Sequence, residues 1–431
     1  DEIHHGGDAK SWGEAIREAF SDATRRLALT GTPFRSDDSA IPFVNNEQDR
    51  AGFKQSTADH TYGYSDALAD GVVRPVIFLA YSGEARWRTS AGEEQSARLG
   101  EPLTAEHTAR AWRTALDPQG EWMPAVIKAA DRRLSQKRDG GMPDAGGMII
   151  ASDQTAARAY ADLLTTITGE APTVVLSDDP GSSDRISAFA AGTSKWLVAV
   201  RMVSEGVDVP RLAVGVYATS ASTPLFFAQA IGRFVRSRTS GETASIFLPS
   251  VPALLQLASE LEAQRNHVLG KPHRETLDDD MPEERRKTEP TDTETGFESL
   301  GADAELDQVI FDGASFGTAT PAGSDEEADY LGIPGLLEPD QMRDLLRRRQ
   351  EEQIATRTAA GVDAAPRTTH GQLRDLRREL NALVAAMHHR TGRTHGWIHN
   401  ELRRICGGPP VAAATADQLR ARIEAVRSLQ L

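Results

Sequence analysis

The sequence predicts an α/β fold built on parallel sheets, and two observations carry that prediction. Between positions 121 and 265, short apolar runs alternate with helical patterns. The same alternation, in shorter form, occupies positions 1–81. Apolar runs without polar interleaving read as strands buried on both faces, and the helices between them cover those faces.

The elements follow in order. Ser11 to Ser21 has a helical pattern, and Arg25 to Leu29 reads as a buried strand leading into Thr30-Gly31. Tyr64 to Asp70 is helical, and Val72 to Ala80 is an apolar strand interrupted by Pro75. Positions 83–120 are polar and charged and read as a connector with some helix. Strands are predicted at Met148 to Ala151, Thr173 to Leu176, Trp196 to Arg201, Val214 to Ala218 and Ser245 to Leu248. Helices are predicted at Gln154 to Thr166, Ser183 to Ala191, Pro224 to Val235 and Val251 to Arg265. From about 272 to 335, acidic runs such as Asp278-Asp279-Asp280 sit among Pro, Thr, Gly and Ser, which is the composition of a disordered linker. Within it, Leu306 to Phe316 is a less polar island able to add a strand or dock on a lobe. Pro339 to Arg357 reads as a charged helix, and 367–431 as about three more. The resulting division is 1–82, 83–120, 121–270, 271–338 and 339–431.

Composition narrows the function classes. The chain has 431 residues, long enough for two or more domains with a sizeable core. Its net charge is −15, which does not exclude nucleic acid, because a local basic groove outweighs the average. The single cysteine, Cys406, excludes an internal disulfide and fits a reducing, cytoplasmic setting. No apolar run approaches the roughly 20 residues needed to span a bilayer.

Four segments carry candidate chemistry. Gln229 to Arg238 reads Gln-Ala-Ile-Gly-Arg-Phe-Val-Arg-Ser-Arg. On a helix, Gln229, Arg233 and Arg236 share one face, and two guanidiniums side by side suit an oxygen-rich, highly charged partner such as a triphosphate. Alone, this segment reads equally as a solvated basic helix face. Asp1-Glu2-Ile3-His4 alone reads as an acidic loop, and Thr30-Gly31-Thr32-Pro33-Phe34-Arg35 as a turn. The fourth segment is Val203-Ser204-Glu205-Gly206-Val207-Asp208-Val209-Pro210, whose Gly206 lets the backbone approach a ligand closely. Ligands of open α/β sheets sit beyond the carboxyl ends of the strands, and the last three of these segments in chain order each follow a predicted strand.

In this order, with Ile149-Ala151-Ser152 and Gln154 between, the segments resemble motifs II, III, IV, V and VI of superfamily 2 DExH helicases. The likeness covers about residues 1–265, and within the superfamily it looks most like the XPB and restriction-subunit translocases, which act mostly on DNA. The resemblance implies two RecA-like lobes, the first incomplete, then an acidic linker and a small α-helical C-terminal domain. It implies ATP and magnesium as cofactors. Asp1 would hold magnesium, Glu2 would orient or deprotonate the attacking water, and His4 would link the site to the second lobe. Arg236 would be the arginine finger and Arg233 a second γ-phosphate contact, with Gln229 beside them. Gly206 and Asp208 would meet the nucleotide, with Asp208 accepting from a ribose hydroxyl. Thr30, Thr32, Arg35, Ser152, Arg201 and Ser204 would serve the nucleic-acid side.

One departure is a missing phosphate loop. No GxxxxGK[ST] occurs, and Gly270-Lys271-Pro272 holds the sole Gly-Lys pair. Without the loop's N–H cradle and lysine the chain is not expected to bind ATP productively. The superfamily carries that loop before DExH, so this chain is expected to be a fragment of an ATP-dependent DNA helicase or double-strand translocase, inactive alone. Its incomplete first lobe is expected to expose apolar surface. A truncated, non-catalytic binder of nucleic acid or protein is the alternative, and RNA in place of DNA stays open.

The last unit, 367–431, carries eleven arginines against five acidic residues. It reads equally as a phosphate-backbone grip and as a bundle that docks on a partner protein. His388, His389, His395, His399 and Cys406 form a weak zinc pattern, because strong ones bring CxxC pairs.

Overall fold

A computed structural model describes residues 12–29, 42–48, 54–57, 59–60, 62–89, 94–101, 103–176, 181–200, 209–239, 241–266, 297–311, 314–333, 339–359, 395–407 and 414–428, with isolated positions in 376–387 and at 411. The chain opens with α1 (Trp12–Phe20), the hairpin strands β1 (Asn45–Gln48) and β2 (Lys54–Thr57), and α2 (Tyr64–Ala69). Then come β3 (Val76–Ser82), β4 (Glu84–Thr89), β5 (Glu94–Arg98), α3 (Ala105–Ala115) and α4 (Trp122–Asp139). The alternating stretch is β6 (Gly146–Ala151), α5 (Gln154–Thr168), β7 (Thr173–Val175), α6 (Ser182–Ala191), β8 (Trp196–Val200), β9 (Leu212–Ala218), α7 (Pro224–Gly232), β10 (Ala244–Pro249) and α8 (Pro252–Asn266). Beyond it lie β11 (Phe297–Ala302), β12 (Glu305–Phe311), β13 (Ala314–Pro321), α9 (Asp325–Leu331) and α10 (Pro339–Ala359).

The main sheet has eight strands in the order β13-β12-β3-β10-β9-β6-β8-β7. From β3 to β7 every pairing is parallel, and β12 and β13 add an antiparallel edge. Every residue of β3, β6, β8, β9 and β10 is buried. Burial along whole strands, not at alternate positions, is what a sheet covered on both faces requires. Local chemistry sets the helix starts. Asp153 caps α5 by accepting from the Ala156 N–H at 2.8 Å, and Thr223 caps α7 ahead of Pro224 at its first turn.

Several expectations from sequence are revised. The apolar strand expected to end a first lobe is β3, and it pairs in parallel with β10, so it belongs to the main sheet. Its seven buried residues find both faces covered there. The polar stretch 83–120 is more than a connector: β4 and β5 form a three-stranded sheet with β11, against which α3 packs, and Trp87 is sealed inside. Part of the expected linker is ordered, since β11, β12 and β13 fall within it. The apolar island at 306–316 does add strands, β12 pairing with β3 through Ile310 opposite Phe78. Arg25 to Leu29 forms no strand, and Leu27 stands 82% exposed with no partner strand among the described residues. Phe20 and Leu29 are also exposed.

A glycine inside β9 ties this architecture to the site. A Cβ on Gly215 would lie 2.7 Å from the Phe234 ring and 2.8 Å from Ile246. Phe234 is fully buried, so the glycine makes room for it. Gly215→Ala is expected to cost about 1–3 kcal/mol through overpacking, read as a lowered urea midpoint with an unchanged slope.

A second, smaller core joins Leu380, Val384 and Met387 to Ile398 and Leu402 on helix His395–Cys406 and Leu419 and Ile423 on helix Ala416–Ser428. Cys406 packs there, its thiol 3.7 Å from the Ala421 carbonyl. His399 is described in that unit, and His388 and His389 lie outside the described residues. Among the described residues no group of His, Cys, Asp and Glu side chains is arranged to hold a metal, and no helix is long and apolar enough to cross a membrane.

Candidate functional site

The candidate site is built where α7 leaves the sheet. α7 starts beyond the carboxyl end of β9 and buries Phe227, Ala230 and Ile231, with Phe227 6.0 Å from the Phe78 ring and 5.7 Å from Tyr217. Nine residues at 1.5 Å each carry it about 13 Å back, to the edge where β3, β9 and β10 begin. Gln229 lies half-buried on this helix, and Arg233 is its C-cap residue. Arg236 lies past the helix, in an isolated antiparallel bridge with Val73.

Two expectations therefore change. The helix ends at Gly232 instead of Val235, so Gln229, Arg233 and Arg236 do not share one helix face. The cause is tertiary: Phe234 turns into the space over Gly215, and the chain then pairs with 72–74. The two arginines also lie at the amino end of the strands, whereas Ser152 follows β6 at the carboxyl end. The structure thus brings Gln229, Arg233 and Arg236 into one segment and sets Ser152 apart from them. Asp1, Glu2, His4, Thr30, Thr32, Arg35, Arg201, Ser204, Gly206 and Asp208 lie outside the described residues.

Sequence reasoning missed what holds this segment. Arg74 is 1% exposed, and its backbone N–H donates to the Val235 carbonyl at 2.6 Å. Its Nε donates to the Phe234 carbonyl at 2.8 Å, and its Nη2 to the Leu212 carbonyl and, at 3.5 Å, to that of Pro210. Its Nη1 pairs with Glu242 Oε2 at 2.9 Å, both side chains being buried. Burial pulls its pKa down to about 10 against the opposing pull of Glu242. Arg238 also reaches Glu242, at 3.3 Å, and Asp144 at 2.6 Å. Arg211, 3% exposed, donates to the carbonyls of Phe189, Asp144 and Ser194 and lies over the Phe189 ring at 3.9 Å. Guanidiniums suit this edge because loops and helix ends turn carbonyls there, and one planar fork satisfies several. The signal in the sequence was slight: a lone arginine in the apolar run Val72-Val73-Arg74-Pro75-Val76-Ile77.

Beneath β10, α4 inserts two more cations. Lys137 Nζ donates to the Thr243 carbonyl at 2.6 Å and to its hydroxyl at 3.0 Å. Arg133 Nε reaches the Ser245 hydroxyl at 3.1 Å, and its Nη1 reaches the Leu331 and Ile333 carbonyls. Burial drives the Lys137 pKa well down and that of Arg133 to about 9.

The Arg238 hydrogen bond, ahead of other causes, holds the Asp144 carboxyl below its usual pKa. A depressed folded pKa contributes stability above the unfolded value of about 3.9, and this is lost as pH falls through the lowered one. Asp144→Asn is therefore expected to melt lower than the parent at neutral pH. The gap should narrow as the pH falls below about 4 in thermal melts; a gap constant with pH would exclude the ion pair as its source.

These features define a mixed α/β protein with a parallel-dominated sheet and a cation-rich amino edge. The chain belongs to one family with proteins of Mycobacterium tuberculosis and Mycobacterium leprae. It is 74% identical over 439 residues to Uncharacterized protein Rv2917 of Mycobacterium tuberculosis (strain ATCC 25618 / H37Rv), covering 100% of this chain and 73% of the relative. It is 73% identical over 440 residues to Uncharacterized protein ML1624 of Mycobacterium leprae, covering 100% and 74%. No protein-family model matches the chain. Among solved structures, it is similar to a fragment of a putative HsdR subunit of a type I restriction enzyme from Vibrio vulnificus, at TM-score 0.38 and 16% identity over 58% of this chain and 44% of that one. A second is domain 2 of the Mss116p DEAD-box helicase bound to an RNA duplex, at TM-score 0.27 and 19% identity over 35% and 59%.

Proposed function

We propose that the chain is the motif-bearing part of a nucleic-acid-stimulated ATPase of the DExH helicase or translocase type, acting on DNA. The observation that carries this is the ordered set of segments at Asp1, Thr30, Val203 and Gln229, on an α/β chain whose last segment is locked between β3 and β9. In this reading Arg233 and Arg236 place positive charge against the phosphoryl oxygens where charge develops. Glu2 would orient the attacking water, and Asp1 would hold magnesium, which would supply neutralisation of phosphate charge. Asp208 and Gly206 face the nucleotide, and Thr30, Thr32, Arg35, Ser152, Arg201 and Ser204 contact the nucleic-acid backbone. Two guanidiniums on a pinned segment fit a polyphosphate, since an aimed donor costs no reorganisation during reaction. The phosphate loop that this chemistry needs is not in the sequence, so the natural full-length protein is the one to assay.

The test is ATP hydrolysis by that protein with duplex DNA, single-stranded DNA and RNA. Stimulation of roughly tenfold or more by duplex DNA is expected. Greater stimulation by RNA moves the substrate to RNA. Absence of hydrolysis with all three sinks the motor reading and leaves a non-catalytic binder.

A further inference from the structure

Arg74 lies within reach of motif VI, yet its guanidinium is sealed from solvent and from any nucleotide. Its bonds fall on the peptide groups that set where Arg236 points. Two backbone bonds flank the Val73–Arg236 bridge: Arg74 N–H to the Val235 carbonyl at 2.6 Å, and Ser237 N–H to the Val72 carbonyl at 3.2 Å. The Arg74 Nε bond to the Phe234 carbonyl fixes the peptide plane between Phe234 and Val235, and the Phe234 side chain is trapped over Gly215. The same guanidinium holds the carbonyls of Pro210 and Leu212, at the end of the Val203–Pro210 segment. Arg74 is itself aimed, by Glu242 at 2.9 Å and through its own carbonyl, which accepts from the Tyr64 hydroxyl at 3.1 Å. Glu242 also engages the backbone N–H of Arg238 at 3.2 Å, tethering the segment beyond Arg236. A lysine reaches Glu242 as a point charge but has no planar fork to hold three peptide groups together.

We propose that Arg74 is a positioning residue for nucleotide hydrolysis: it sets the backbone of 234–236 and so aims Arg236, and it couples that segment to the end of motif V. This rests on the nucleotide-hydrolysing reading above. A pinned arginine finger keeps its geometry through each turnover, and small misplacements of such groups cost rate more than binding.

The experiment measures kcat and KM for ATP in the natural full-length protein with saturating duplex DNA. Arg74→Lys, Arg236→Lys and the double variant are compared. Arg74→Lys is expected to lower kcat roughly tenfold or more with KM within about twofold. In the Arg236→Lys background the same change is expected to lower kcat by less than about threefold, because the group it aims is already displaced. A scaffold role alone predicts multiplicative losses, and that result overturns the proposal, as does full turnover in a folded Arg74→Lys protein. If Arg74→Lys does not fold, Tyr64→Phe decides, since it removes the hydroxyl that bonds the Arg74 carbonyl. A fall in kcat of roughly two- to fivefold that vanishes beside Arg236→Lys supports the proposal, and unchanged kcat overturns it. No hydrolysis by the unaltered protein removes the nucleotide reading itself; normal hydrolysis with insensitive variants removes this inference alone.

Discussion

Replacing Arg236 by alanine in the natural full-length protein is expected, under the proposed function, to lower DNA-stimulated ATP turnover by about 10³–10⁵-fold, with DNA binding largely intact. The size follows from the chemistry. Phosphoryl transfer leaves little covalent work to the protein, so catalysis depends on placing cations where charge develops. Arg236 sits past the end of α7 on a segment held by Phe234, Arg74 and Glu242, so truncating it removes charge without releasing that backbone. Under the same proposal Glu2→Gln is expected to abolish turnover as well, because Glu2 is the group assigned to orient or deprotonate water. Steady-state hydrolysis alongside DNA-binding titrations checks both. Normal turnover in either variant would show that its residue has been given the wrong role.

The second large effect is on stability. Glu242→Ala is expected to destabilise the fold by about 3–5 kcal/mol, because Arg74 would keep its charge at 1% exposure with no carboxylate beside it. Arg238 would lose one of its two acidic partners, keeping Asp144. Glu242→Gln still offers an acceptor oxygen and is expected to cost less. Urea unfolding of both variants measures this. An Ala variant within about 1 kcal/mol of the parent would mean that water reaches the Arg74 pocket.

The two predictions concern one network seen from its two ends, and they separate in practice. Loss of Glu242 lowers the stability of the sheet edge, whereas loss of Arg236 leaves that edge paired. A protein that is folded but inactive therefore points to the role proposed for Arg236, and one that is inactive because it is unfolded points to the network.

Much of the main sheet was legible in the sequence. Trp196–Val200 and Leu212–Ala218 are apolar throughout and Ala244–Pro249 is apolar but for Ser245, and continuous apolarity is the mark of a strand with no solvent face. The caps at Asp153 and Thr223 are local hydrogen bonds, readable from neighbours in the chain. Which strands share a sheet was less legible. Val76–Tyr81 is apolar throughout, but apolarity does not say which sheet will receive it. The strands β4, β5 and β11 were obscured by charged residues and acidic surroundings, whereas the apolar island at 306–316 did point to β12. Arg88, for example, pairs with Glu94 on β5 and Glu298 on β11, so residues that read as linker are cross-strand partners.

The sequence by itself determined that the chain folds as α/β with a parallel sheet, and it marked Gln229, Arg233 and Arg236 as a basic segment worth locating, because hydrophobic period and residue type are local properties. The tertiary structure alone decided that β3 joins β10, that α7 stops at Gly232, and that a buried arginine 162 positions before Arg236 grips the carbonyls beside it. Those outcomes depend on which distant groups share a desolvated space, where an unpaired carbonyl or charge costs more than any local preference supplies.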